Sequence, residues 1–426
     1  MKNASPLLAL EDAQQQLLSA VAQHSQASER IALLDAAGRV LAEDLISEIN
    51  IPAQACSAMD GYAINAAALQ SATANVADAH GRVRLPIAQR IPAGSVPAPL
   101  SANTAARIFT GALMPAGADT VVMQEQCELD GESNGDAVWV PQQNVSGKHV
   151  RQAGEEVAIG KTVLQRGTRL GAAELGMAAS IGKSHVQVAR TLRVALLCTG
   201  DELALPGEAL PPAGVYNSNR YMLRGLLQQL GCEVHDMGRV HDTLDATRAA
   251  LRDAALQADL VLSTGGVSVG EEDHVKTAMQ AEGELILWKL AIKPGKPFAF
   301  GHILRGDHAS GSHSWFAGLP GNPVSALVTF ALLVRPLILK LQGVASPLPQ
   351  TIPARAAFDW QRADSRREFL RVKLNPAGEL ELFPQQGSAA LASCVWADGL
   401  LDNPPGQTIA RGDVVRFLPF AMRCGV

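Results

Sequence analysis

The sequence predicts a multidomain α/β protein organised around a doubly wound parallel sheet, and three observations carry that expectation. At 426 residues the chain exceeds what one ordinary hydrophobic core fills, so it divides into several domains. From Leu192 to about Gly343, apolar runs of strand length alternate with segments of helical spacing, the pattern of strands buried on both faces by crossover helices. Before and after that stretch, short alternating runs separated by Gly, Pro and Asn predict β-rich regions.

In chain order, Leu10–Gln23 spaces its leucines as an amphipathic helix, and Ala172–Ser180 predicts a second helix closed by Gly182. Between them Thr120–Gln124 and Ala137–Val140 read as short strands. In the central region Val194–Cys198, Leu260–Ser263, Leu285–Trp288 and Trp315–Ala317 have the length of buried parallel strands. Arg220–Leu230 and Leu244–Gln257 carry the Leu, Met and Ala spacing of helices, the second capped by Asp242 or Thr243. The longest apolar run, Pro323–Leu341, is interrupted by Arg335, Pro336 and Lys340, and it sits near the lower limit of about 17–25 residues for a spanning helix. It predicts a buried helix and no membrane association. Beyond Gly343, SPLPQTIP reads as a linker, and EFLRVKL, NPAG and ELELF read as a hairpin of a small β-barrel or meander.

Composition narrows the function. The 41 acidic and 36 basic residues leave a net charge of −5, which provides no basic face for nucleic acid. The six cysteines form no Cys-x-x-Cys pair, so neither a zinc knuckle nor a redox motif is indicated, and scattered thiols fit a reducing, cytoplasmic compartment. Glu11 and Asp12 stand where a signal peptide needs unbroken apolar residues. Gly-x-Ser-x-Gly, Walker and Gly-x-Gly-x-x-Gly motifs are absent, which argues against acyl transfer, P-loop hydrolysis and dinucleotide redox chemistry.

The residues that can carry chemistry collect at strand ends. Thr264, Gly265 and Gly266 follow the strand ADLVLS, where open α/β sheets bind ligands, and two glycines let backbone amides approach an anion. Glu272 and Asp273 come next. Asp201 and Glu202 follow the strand RVALLC on the same edge. Like charges gathered there are costly unless a cation neutralises them, and oxygen-only donors suit Mg2+. In KLAIKPGKPFAFG, Lys289, Lys293 and Lys296 surround a rigid Pro-Gly-Pro frame that lowers the entropy cost of holding ammonium groups for an oxyanion. In GLPGNPVSA, Asn322 suits an N-cap, Pro323 a first helical turn and Ser325 a hydroxyl donor at the free amides. Each signal alone also has a plainer reading: a tight turn, a solvated basic loop, an ordinary helix start. His308 and His313, within GDHASGSHS, read as a surface hairpin loop rather than a metal site.

Longer motifs decide between these readings. SAMDGYAI (Ser57–Ile64), RIFTGALMPAGADTVVMQE (Arg107–Glu125), STGGVSVGEEDH (Ser263–His274), LWKLAIKPGKPFAFG (Leu287–Gly301) and GLPGNPVSA (Gly318–Ala326) together resemble the MoeA-type molybdopterin molybdenumtransferases, over nearly the whole chain and in the family's order. The resemblance implies four domains: a small split domain (1–46 and 153–191), a β-rich domain inserted into it (47–152), the doubly wound molybdopterin-binding domain (192–345) and a C-terminal β-barrel (346–426). It implies a homodimer with its active site between subunits, and transient contact with a molybdopterin adenylyltransferase. The implied reaction is Mg2+-dependent: adenylylated molybdopterin and molybdate give molybdenum cofactor and AMP.

Motif by motif, the resemblance places Asp60 and Thr110 against the partner subunit's site. It makes Glu202, Asp242 and Asp273 the acidic metal and nucleotide residues, with Thr264, Gly265 and Gly266 as the binding loop beside them. Lys289, Lys293 and Lys296 neutralise phosphates and molybdate. Pro297, Pro320, Pro323, Ser325, Arg366 and Ser388 line the binding pocket. One departure stands out: the family often reads Gly-Glu-Asp where this chain has Gly154-Glu155-Glu156, so a metal role at Glu156 works through a longer arm. Two rival readings lose ground. A molybdopterin adenylyltransferase typically stands as a single domain, against roughly 190 residues ahead of Leu192 here. A receptor-anchoring scaffold would carry a long linker or a second enzymatic domain, and this chain has neither.

Overall fold

The computed structural model describes residues 7–22, 27–71, 78–131, 136–267, 274–306 and 312–420. The chain forms two compact units, one of residues 1–43, 166–171 and 185–426, the other of 44–165 and 172–184.

The larger unit is built on six strands: β1 (Arg193–Thr199), β2 (Glu233–Val240), β3 (Leu260–Thr264), β4 (Gly283–Trp288), β5 (Ala299–Leu304) and β6 (His313–Leu319), in the order β2-β1-β3-β6-β5-β4. The first four in that order run parallel, and β5 and β4 are added antiparallel. Leu285–Trp288, expected as a buried parallel strand, is therefore an edge strand paired antiparallel to β5. The physical reason is the connection: residues 289–298 are too few for a helical crossover, which takes about a dozen or more. β2 escaped a search for apolar runs because Glu233, His235 and Asp236 interrupt it at the sheet's other edge. His313, expected in a loop, opens β6 and sits 4.9 Å from the His302 ring, while His308 lies outside the described residues.

Alternation along the strands fills both faces. Val194 and Leu196 join Leu223, Leu227 and Leu337 on one side, whereas Ala195 and Leu197 join Leu251, Ala255 and Phe316 on the other. Helix α1 (Ser218–Gln229) is capped by the Asn217 side chain, which accepts from Arg220 N at 3.0 Å. Helix α2 (Leu244–Gln257) is capped by Thr243, which accepts from Ala246 N at 3.3 Å. Leu10–Ala20 forms the expected first helix and buries Leu10, Ala13 and Leu17 in the first core.

The run Pro323–Leu341 is one helix, α-helical to Thr329, π-helical over Phe330–Val334 and α-helical again from Arg335. Pro336 has no N–H to give an α-helical ladder, so the turn widens ahead of it, and Gln14 Nε2 donates to the Leu332 carbonyl at 2.9 Å. Among the described residues this helix is long and apolar enough to cross a membrane, yet most of it is buried within the unit, as its neighbours in the core require.

The C-terminal region closes into a small barrel. Ile352–Arg355, Val414–Pro419, Gly399–Asn403, Arg367–Leu374 and Leu380–Leu382 pair antiparallel in that order, and a bridge from Ala356 to Leu380 joins the ends around Leu370, Val372, Leu401 and Phe417. The expected hairpin forms the last pair of that order, Arg367–Leu374 with Leu380–Leu382. A parallel pairing of Ile292–Lys293 with Arg367–Glu368 ties the basic loop to this barrel.

The smaller unit holds a second six-stranded sheet, Thr120–Met123, Gly61–Ile64, Ala105–Ile108, Arg82–Ile91, Ala137–Pro141 and Glu128–Leu129 in spatial order. Gly61 lies between two strands where a Cβ would stand 2.0 Å from the Val122 carbonyl oxygen, so no other residue fits. Helix Ala172–Ser180 ends as expected at Gly182, in left-handed conformation at φ 80°.

Candidate active site

Three turns meet at the carboxyl ends of β1, β3 and β6. Gly265 and Gly266 hold φ 90° and 63°, and side chains there would stand 2.5 Å from Thr199 O and 2.9 Å from Thr199 Oγ1 respectively. A Cβ on Gly321 would lie 3.7 Å from Gly265 Cα, so the turns after β3 and β6 also pack closely. Thr264 Oγ1 donates to Pro320 O at 3.0 Å and accepts from Asn219 Nδ2 at 2.9 Å, and Asn219 Nδ2 reaches Gly321 O at 2.8 Å. These bonds fasten the turns to α1. Among the described residues Thr199 Oγ1 and Asn219 Oδ1 are buried without a partner, as are Asn217 Nδ2 and Ser263 Oγ. Buried polar atoms are rarely unpaired, and those beside the glycine turn keep hydrogen-bonding capacity that a ligand can take up.

The acidic residues flank this rim. Asp242 Oδ2 accepts from Asp201 N at 3.2 Å, and Asp201 Oδ1 meets His241 Nδ1 at 3.1 Å, a bond that holds the Asp201 carboxyl below the usual range. The Glu202 carboxylate folds back on Gly200, where a Cβ would lie 2.6 Å from Oε2. Asp273 lies outside the described residues. Among the described residues no group of three or more His, Cys, Asp or Glu surrounds a metal position. Glu202 and Asp242 supply oxygen donors only, which fits a hard ion such as Mg2+, held by one or two carboxylates together with phosphate oxygens rather than caged by protein.

The basic loop between β4 and β5 is seated on the long helix: a Cβ on Gly295 would meet Thr329 Cγ2 at 2.7 Å. Lys289 adopts φ 68°, its N–H bonded to Phe298 O at 3.0 Å. The ammonium groups of Lys289 and exposed Lys296 form no ion pair among the described residues. Lys293 differs: it reaches Asp364 at 3.0 Å and the buried Glu368 at 3.1 Å. Burial alone would lower its pKa, but these two carboxylates outweigh it and raise it. Arg366 binds Asp364 through N and Nε, at 2.9 and 3.1 Å, and with Lys293 holds that carboxyl well below the usual range. The barrel thus brings Arg366 and Lys293 together around Asp364. It also brings Ser388 to the long helix, where its carbonyl accepts from Val324 N at 3.0 Å, one residue from buried Ser325. Pro320 is buried in the β6 turn, Pro323 opens the helix and Pro297 closes the basic loop half-buried.

In the smaller unit, Asp60 Oδ1 accepts from Thr110 N at 2.7 Å and Thr110 Oγ1 at 2.8 Å, which depresses the Asp60 pKa. Beside them Arg107 stacks 4.7 Å from the Phe109 ring and 5.2 Å from Tyr62. Glu156 forms an exposed pair with Arg151 at 3.0 Å. Sequence reasoning passed over Thr199, Asn219 and Arg107. Thr199, the polar residue that ends the apolar run Val194–Cys198, was the one with a readable signal.

Three family models cover the chain: the MoeA N-terminal region (domain I and II) over residues 8–182, the probable molybdopterin binding domain over 195–340, and the MoeA C-terminal region (domain IV) over 353–420. A molybdopterin molybdenumtransferase from Haemophilus influenzae is 38% identical over 421 residues, 97% of this chain and 99% of its own. The chain belongs to the MoeA family. Another MoeA relative, molybdopterin molybdenumtransferase 2 from Mycobacterium tuberculosis, is 35% identical over 88% of this chain and 90% of its own. The crystal structure of the MoeA protein from Pyrococcus horikoshii superimposes with a TM-score of 0.80 at 26% identity, covering 97% of this chain and all of that one. In this MoeA chain, the glycine turns, the basic loop and the barrel contacts at Ser388 and Arg366 belong to the larger unit, while Asp60 and Thr110 belong to the smaller.

Proposed function

We propose that this MoeA-family enzyme of molybdenum cofactor synthesis inserts molybdate into adenylylated molybdopterin and releases AMP. The observation that carries the reading is the pair of buried atoms without a partner among the described residues, Thr199 Oγ1 and Asn219 Oδ1, beside Gly265 and Gly266. A ligand with donors and acceptors satisfies them, and the glycines admit its polar edge to the backbone. Both substrates are anions and repel each other. Lys289 and Lys296, unpaired among the described residues, lower that repulsion, and their placement beforehand removes the cost of reorganising charge during the reaction. Lys293 is shared with Asp364 and Glu368, so it orders the loop and offers the anion only part of its charge. Ser325 and Ser388, brought together at the start of the long helix, offer molybdate their hydroxyls. Mg2+, held by Glu202, Asp242 and Asp273, supplies positive charge at the phosphoanhydride when bound.

We further propose the four-domain division given above and a cytoplasmic homodimer, in which Asp60 and Thr110 complete the partner subunit's site. The experiment supplies the protein with adenylylated molybdopterin, molybdate and Mg2+ and follows AMP. Molybdate-dependent AMP release is expected, and Asp273→Asn loses the metal-dependent AMP release while leaving a folded dimer. Formation of adenylylated pterin from molybdopterin and MgATP would instead identify an adenylyltransferase, and undiminished turnover would take Asp273 out of the mechanism.

A further inference from the structure

The barrel buries a charge that, among the described residues, no carboxylate neutralises. Arg371, on the strand Arg367–Leu374, is fully buried. Its guanidinium donates to Phe369 O at 3.0 Å, Gly387 O at 3.2 Å and Ser393 Oγ at 3.2 Å, all of them neutral. On the same strand Arg367 shows the ordinary arrangement, bonded to Asp402 at 2.6 and 2.7 Å. Burial brings the Arg371 guanidinium down to about 10, so it stays protonated at neutral pH.

An unpaired buried cation contributes poorly to stability, and an apolar residue of similar volume would serve a core at least as well. What Arg371 does have is a fork of donors turned on one segment. Gln386 completes the clasp: its side chain accepts from Arg371 N at 2.9 Å and donates to Arg371 O at 3.1 Å. Ser393 Oγ, besides accepting from Arg371, donates to Ala390 O at 2.6 Å. Residues 386–393 are thus pinned to the strand from both ends. Between those pins lies Ser388, whose carbonyl caps Val324 N beside Ser325.

We propose that Arg371 is a positioning residue for oxyanion binding: by fixing Gly387 it holds Ser388 against the first turn of the Pro323 helix, so that Ser388 and Ser325 form one rigid anion-binding edge. This rests on the reading of that edge as the molybdate subsite. Arg371→Lys keeps the charge but replaces the fork with a single ammonium. Gln386→Leu, on the outer side of the clasp, loosens the same segment without touching the buried charge.

The measurements are molybdate affinity by calorimetry, and separate KM values for molybdate and adenylylated molybdopterin with kcat. For Arg371→Lys, molybdate Kd and KM rise about tenfold, while kcat and the pterin KM stay within about twofold. Gln386→Leu shows the same selective rise at about threefold. A uniform fall in all parameters with thermal stability, or an unchanged molybdate Kd in Gln386→Leu, overturns the proposal even where Arg371→Lys fails to fold. Wild-type protein that binds no molybdate overturns the subsite reading itself, and the proposal with it.

Discussion

The two ends of the central sheet differ in how a buried carboxylate at one and a buried hydroxyl and amide at the other are bonded. At the amino end Asp259, just ahead of β3, is buried yet fully engaged: Arg193 reaches it through N and NH2, each at 3.0 Å, Arg190 at 3.0 Å and Arg305 at 3.7 Å. Burial alone would raise its pKa, but these partners outweigh it and hold the carboxyl at about 2. At the carboxyl end Thr199 Oγ1 and Asn219 Oδ1 are equally buried and have no partner among the described residues. The amino end commits its buried carboxylate to the fold, although Arg305 Nε and Trp315 Nε1 there are, like Thr199 Oγ1 and Asn219 Oδ1 at the other end, buried without a partner among the described residues. For a carboxylate, burial alone does not separate a structural cluster from a site; its partners do.

The largest effect that tests this contrast is at the amino end. Asp259→Ala leaves arginines unneutralised and costs about 3–5 kcal/mol in chemical denaturation, with turnover per folded molecule unchanged. A loss of turnover in the folded fraction would mean that the amino end is not merely structural. Next, Gly265→Ala forces a Cβ to within 2.5 Å of Thr199 O in a left-handed conformation, so the rim must shift. Turnover should fall about 100-fold with a smaller effect on melting, read by steady-state kinetics beside calorimetry.

Asp259 also sets a pH dependence. Its folded pKa lies below the ordinary value of 3.8, so its contribution is complete above pH 3.8 and disappears as pH falls towards about 2. That amounts to about 2 kcal/mol, measured as wild-type stability against pH and absent in Asp259→Asn. The smallest effect is at the carboxyl end. Thr199→Val removes a buried hydroxyl that has no partner, so stability stays level or rises by about 0.5 kcal/mol. Affinity for adenylylated molybdopterin should nevertheless drop about threefold to tenfold in titration calorimetry. A clear loss of stability would show that the hydroxyl already serves the fold.

Much of this architecture was legible in the chain. β1, β3 and β6 are buried on both faces and stand out as apolar runs, and Thr243, Gly182 and the NPAG turn mark ends by local chemistry. β2 and β4 were missed or misassigned because edge strands are half-solvated and their direction depends on a neighbour far away in sequence. Thr264, Gly265, Gly266 and the basic loop were visible as motifs beside strand ends. The engagement of Lys293 by Asp364 and Glu368 was not, since roughly 70 residues separate the partners and no periodicity links them.

The sequence by itself determined the residue types available at each strand end and the glycines that let backbones close on one another, because steric limits and side-chain chemistry are local properties. Only the tertiary structure decided which of those groups remain unsatisfied. Whether Thr199 Oγ1 finds a partner, whether Lys293 keeps its charge free, and whether Arg371 meets a carboxylate or a carbonyl all depend on which distant segment arrives within about 3 Å.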